Sequence, residues 1–116
     1  MQSAGLRKAL TLMFLLKITP PASRRREVLE ILKHVHGPIS VKPGCLACEI
    51  YEWVDNDQAI LYLEQWRSAA NLHYHIQSMI YARLLAAMDL SAIEPEINFY
   101  ETAQTHGMEV IAMHRT

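Results

Sequence analysis

Apolar and polar residues alternate in some stretches of the chain and repeat at helical spacing in others, and the two periods divide it into six elements. Leu10, Leu12, Phe14, Leu16 and Ile18 recur at every second position, which predicts a strand with one wholly apolar face. Thr19-Pro20-Pro21 ends it, because proline brings no donor to a ladder and suits a helix opening. Val28, Ile31, Leu32 and Val35 then follow helical spacing, with Glu27, Glu30 and Lys33 elsewhere on the wheel. Gly37-Pro38 is expected to stop this helix or fray it near Ile39, and Ser40 to Gly44 reads as loop. Cys45 to Val54 alternates again, with Leu46, Cys48, Ile50 and Val54 on one face and Glu49, Tyr51 and Trp53 on the other. Asp55-Asn56-Asp57 is turn chemistry, and Ala59 to Trp66 resumes the strand pattern, so these two strands are expected to form a hairpin. Ser68 is a good N-cap for a longer helix carrying Leu72, Ile76, Met79, Ile80 and Leu84 and running to about Met88. Pro95 imposes extension, and Ile97, Phe99 and Glu101 alternate with Asn98, Tyr100 and Thr102 as a fourth strand.

This order, βαββαβ, predicts an α+β ferredoxin-like sandwich with both helices on one face of a four-stranded antiparallel sheet. Residues 1–8 read as a loose leader, 9–102 as the domain and 103–116 as a C-terminal arm, with Met108 to Met113 apolar enough for an extension strand. Both sheet faces carry large side chains, with Met13, Leu15, Tyr51, Trp53, Ile60, Tyr62 and Trp66 on the less apolar one, and strand parity leaves open which face the helices cover. Such a face would be a sticky patch in water, so a homodimer packed sheet to sheet is expected, with the arm reaching across to the neighbour.

Charge and composition narrow the partners. Eleven Lys and Arg against twelve Asp and Glu leave no positive field for a nucleic-acid backbone. The longest apolar run, Ala9 to Leu16, is far shorter than the roughly 20 residues a membrane helix needs. Arg7 and Lys8 before that run imitate a secretory signal, but Lys17 interrupts it and Pro20-Pro21-Ala22 is a poor cleavage site. The run is therefore read as the buried first strand of a cytoplasmic protein, which fits the lack of a disulfide framework. Cys45-x-x-Cys48 has redox spacing, yet the two thiols are expected to flank a strand and point to opposite faces. His34 with His36, and His73 with His75, diverge by about 200° on a helix and are not expected to share a metal. Arg24-Arg25-Arg26 at a helix start works against the dipole and reads as a solvated patch.

Three motifs in order carry a resemblance: Gly44-Cys45-Leu46 at a strand entry, Glu64-x-Trp66 at a strand end, and Leu72-x-x-His75-x-x-Ser78 on the second helix. Across roughly Leu10 to Thr102 the chain resembles the antibiotic biosynthesis monooxygenase (ABM) domain. The resemblance implies a dimeric α/β barrel and relatives that oxidise quinols or polyketide phenols with dioxygen, using no metal or flavin. Haem-degrading members of the superfamily have a Phe-x-x-Trp helix, an axial His ten residues beyond that Trp and an Asn on the first strand. The corresponding positions here are His75, Leu85 and about Phe14, which removes all three, so no cofactor is expected.

Cofactor-free oxidation needs an electron-rich phenolic substrate, a base for its proton and an apolar enclosure. His75 is the candidate base, three residues after Leu72 and four before Met79 and so aimed at the sheet; the alternative is a hydrogen-bonded core histidine. Trp66, Glu64 and Tyr62 share a strand face. Trp66 could wall a ring-binding pocket or serve as a core wedge, and Glu64 there needs a partner. Tyr51 and Tyr100 are candidates to orient a substrate hydroxyl. Tyr81, three past Ser78 where relatives often carry an aromatic residue, lines the pocket mouth or simply packs. Two other functions suit this fold, a non-catalytic binding or regulatory dimer and an isomerase or signal-molecule processing enzyme, because fold does not fix chemistry.

Overall fold

A computed structural model of the protein describes residues 10–55 and 58–115. The leader and the Asn56-Asp57 part of the expected turn lie outside the described residues. The elements are β1 (Thr11–Ile18), α1 (Arg25–Ser40), β2 (Cys45–Glu52), β3 (Ile60–Trp66), α2 (Ala69–Gln77), α3 (Met79–Asp89), β4 (Glu96–Thr102) and α4 (Met108–His114). The four strands pair antiparallel in the order β2-β3-β1-β4, the ferredoxin-like arrangement expected from the sequence.

The alternation of β1 decides which face is inside. Phe14, Leu16 and Ile18 are buried and sit opposite Glu64, Tyr62 and Ile60 of β3. Val28, Leu32, Val35 and Ile39 of α1, Leu72 of α2 and Leu84 of α3 close over them to make one core. Ile60, Tyr62 and Trp66 therefore lie on the helix-covered face with Phe14 and Leu16, and not on one face with Met13 and Leu15 as the sequence pattern groups them. The register of β1 and β3 puts Leu61 and Leu63 on the open face beside Met13, Leu15, Tyr51, Trp53 and Tyr100.

Four further departures have local causes. Helix α1 runs through Gly37-Pro38 to Ser40: Pro38 forfeits one amide bond near the helix end, and Ile39 beyond it is fully buried in the core. A register shift between Cys45 and Ala47 makes Leu46 the extra residue of a β-bulge. The shift puts Cys45 opposite Trp66 and Cys48 opposite Glu64, so both thiols face the helices rather than opposite sides; they are free, and Leu46 is half-exposed. Val54 lies beyond the end of β2 and is almost fully exposed. The expected second helix is two helices, broken at Ser78, whose backbone is extended (φ −76°, ψ 158°). That single residue resets the phase: Leu72 and His75 face inward before it, Tyr81, Leu84, Ala87 and Met88 after it, and Met79 turns out to solvent at 91% exposure.

Residues Met108–His114 form the short helix α4 instead of an extension strand, and among the described residues α4 packs extensively against no other element. The molecule is correspondingly elongated, 53 × 41 × 24 Å. No helix of the described residues is long and apolar enough to cross a membrane.

Candidate active site

The site grows from one buried carboxylate. Glu64 lies in the middle of β3, between strands on both sides and under α2, and is fully buried. A carboxylate removed from water needs donors on its lone pairs, and Glu64 has three. The Trp66 indole N–H donates to Oε1 at 2.9 Å, and the Tyr62 hydroxyl donates to Oε2 at 2.6 Å. Both come from the same strand two residues away, the spacing that the pleat turns to one face. The third is the Nε2–H of His75, 2.9 Å from Oε2. His75 is itself 1% exposed, stacked on Trp66 (centroids 4.6 Å, 28°) and met edge-on by Tyr81 (5.2 Å, 89°).

The other ring nitrogen looks away from Glu64. Nδ1 of His75 is 3.0 Å from Nζ of Lys42, which also donates to Ser78 Oγ at 2.8 Å, while Ser78 Oγ–H donates to the His75 carbonyl at 2.6 Å. An ammonium has protons and no lone pair, so Nδ1 is the acceptor and Nε2 carries the ring proton. Glu64 thus selects one tautomer, as a carboxylate does behind a catalytic histidine. Lys42 is placed by the turn before β2. Gly44 has φ +81°, and a Cβ there would lie 2.2 Å from Asn71 Cγ, so only glycine lets this turn close on α2. Burial pulls the Lys42 pKa below the usual lysine range, against the opposing pull of Glu64 and then Cys45.

Lys42, Pro43, Trp66, Asn71, Tyr74 and His75 line a cavity of about 290 Å³ that opens to solvent. Two of the candidate residues from the sequence, His75 and Trp66, line it; Glu64 and Tyr62 stand behind them, and Tyr81 packs on the far side of the histidine against Phe14. Tyr51 and Tyr100 are not brought there. They sit opposite Leu61 and Met13 on the other sheet face, half-exposed. Lys42, Ser78 and Asn71 were missed, and the only signal for them was the Gly44-Cys45 and His75-x-x-Ser78 spacing already used for the family. Among the described residues no group of three or more His, Cys, Asp or Glu could hold a metal ion.

A family model described as antibiotic biosynthesis monooxygenase matches residues 11–87, which includes every group of this site. The chain belongs to the antibiotic biosynthesis monooxygenase family. In sequence, an uncharacterized protein of Synechocystis, sll1783, is 30% identical over 91 residues, covering 78% of this chain. The chain spans 60% of that protein's length. In structure, Rv0793 of Mycobacterium tuberculosis superposes with a TM-score of 0.76 at 17% identity, covering 84% of this chain and 99% of its own. A conserved protein from Methanosarcina mazei gives 0.74 at 21% identity, covering 80% and 93%. At such identities these two show the ABM fold alone.

The network extends to Cys48, whose thiol meets the Tyr62 hydroxyl at 3.2 Å. Burial pushes the Cys48 thiol up to about 11, and burial first, then Glu64, pushes the Tyr62 phenol far above its ordinary range. The sign follows from proton counting. Above about pH 9 the unfolded chain releases the thiol proton that the folded protein keeps, so stability is full below pH 9 and falls as pH rises toward 11. Tyr62 acts in the same direction at higher pH; Lys42, with a lowered pKa and partial exposure, opposes it weakly. Thermal melts in steps from pH 8 to 11 are expected to show a flat Tm to about pH 9 and a decline beyond it, smaller in Cys48→Ala.

Proposed function

We propose that the protein is a cofactor-independent monooxygenase that oxidises a quinol or phenolic small molecule with dioxygen, His75 acting as the base through Nδ1. The observation that carries this reading is the buried Glu64 carboxylate. It holds the ring proton on Nε2 and leaves the lone pair of Nδ1 to Lys42, which with Trp66, Tyr74 and His75 lines the neighbouring cavity. Loss of the hydroxyl proton makes a quinol a strong electron donor. A quinol and dioxygen then give a hydroxyquinone and water, a balance that needs no outside reductant. Trp66, fully buried, stacks on His75 and holds its ring at the cavity's inner end, and Tyr81 covers the imidazole edge-on.

The open sheet face supports a homodimer in the same reading. Met13, Leu15, Leu61 and Leu63 lie there half-covered, with Tyr51, Trp53 and Tyr100 about half-exposed around them. A second copy packed sheet to sheet would cover this area.

Oxygen uptake by the purified protein tests the proposal, with a panel of reduced quinols and naphthols, after metal chelation and against autoxidation. Uptake is expected to survive chelation and to fall by roughly 10²-fold or more in His75→Gln. Wild-type uptake no faster than autoxidation across the panel would overturn the reading and favour an oxygen-independent isomerase or a binding dimer.

A further inference from the structure

The proton transfer proposed above leaves an anion in the cavity, and the positions of the charges around His75 say what would receive it. Before transfer, Glu64 and Lys42 are two opposite charges separated by a neutral imidazole, bonded to its two nitrogens. When Nδ1 takes a proton, the ring becomes a cation and its Nδ1–H now faces the Lys42 ammonium, donor against donor. The ring cation is matched by Glu64, but Lys42 loses its acceptor. Among the described residues no carboxylate lies within ion-pair distance of Lys42, and its remaining partner is the neutral hydroxyl of Ser78. The one new acceptor within reach is the oxygen that has just lost the proton.

We propose that Lys42 is the oxyanion-binding residue of this site and that its ligand is an aromatic hydroxyl compound bound as the aryl oxide, its ring along Trp66. This deepens the functional reading and rests on it for the ligand class. One proton moves from the aryl hydroxyl to Nδ1; the O–H bond breaks, the N–H bond forms, and Lys42 passes from Nδ1 to the aryl oxygen. Two opposite charges across a neutral ring become two adjacent ion pairs, Glu64 with His75 and Lys42 with the ligand. Desolvation of the ammonium, already unfavourable without an anion, strengthens the demand for one. The turn geometry agrees: the glycine at 44 and the bond from Arg67 N–H to the Gly44 carbonyl (2.8 Å) hold the residue before Pro43 at the cavity rim.

The test uses 4-nitrophenol, whose ionisation is visible and whose electron-poor ring does not react with dioxygen, and its methyl ether, 4-nitroanisole, which has no proton to lose. Both are titrated into wild-type protein, Lys42→Met and Lys42→Gln, each checked for an unchanged melting transition. Wild-type protein is expected to bind the probe in its yellow anionic form at least about tenfold more tightly than the Lys42 variants that remain folded, the loss typical of one charge-assisted hydrogen bond. The ether is expected to bind all of them within about twofold. Equal affinity of wild type and variants for the anion would overturn the assignment, and so would no binding of nitrophenol to wild type. Because the probe is inert to oxygen, Lys42-dependent binding in a protein that consumes no oxygen with quinols would keep this site and reject the oxidation. Oxidation with Lys42-independent binding would do the reverse.

Discussion

Replacing Glu64 with Ala is expected to destabilise the protein by about 3 to 5 kcal/mol, which lowers Tm by about 15 °C or more. The carboxylate is fully buried and is the acceptor for Tyr62, Trp66 and His75 together. Truncation leaves three donors in a dry core, each worth about 1 to 3 kcal/mol when unmatched, and only water entering the new space could moderate the loss. The effect should greatly exceed that of Glu52→Ala, although Glu52 makes a shorter ion pair, 2.6 Å to Arg25. That pair is exposed on the Glu52 side, and surface pairs are worth about 0 to 1 kcal/mol. Urea denaturation of the two variants side by side checks the difference. A buried charge of this kind adds little net stability compared with apolar residues of the same volume, although removing it alone is costly.

The second large effect belongs to Glu64→Gln, which keeps volume and changes protons. An amide brings a donor pair to one of the two oxygen positions. Trp66 has only an N–H to offer at Oε1, so the amide nitrogen must take the place of Oε2, where the Tyr62 hydroxyl can rotate to accept. His75 Nε2 must then accept as well, and the ring proton moves to Nδ1, facing Lys42 and the cavity. The histidine is held in the wrong tautomer for a base. Turnover of a quinol substrate is expected to fall by roughly 10²-fold or more with KM little changed and the fold intact, since the groups lining the cavity are unaltered.

The sequence made some of this legible and hid the rest for physical reasons. Strict alternation in β1 puts Phe14, Leu16 and Ile18 on one face, and the structure makes that face the core. The same parity puts Tyr62, Glu64 and Trp66 on one face, and helical spacing from Leu72 points His75 at them. Alternation within one strand says neither which face the helices take nor how its faces align with those of the next strand, and the β1–β3 register separates Ile60, Tyr62 and Trp66 from Met13 and Leu15. The bulge at Leu46 inserts one residue into a regular pattern, which reversed the apparent direction of Cys45 relative to Cys48. The break at Ser78 is invisible to periodicity, since the apolar positions on both sides fit a single helix until one residue is extended. Lys42 stayed hidden because its role is tertiary. It lies 33 residues before His75 in a turn whose shape depends on Gly44 and Asn71.

The central claim is that Glu64 fixes the proton of His75 on Nε2 and leaves Nδ1 as an acceptor for Lys42. Nitrogen NMR of the histidine ring, on protein labelled with 15N at histidine, tests it without any substrate. At neutral pH, wild-type His75 is expected to show a protonated Nε2 and an unprotonated, hydrogen-bonded Nδ1, with the pattern inverted in Glu64→Gln. A proton on Nδ1 of the wild-type ring, whether or not Nε2 also carries one, would contradict the account.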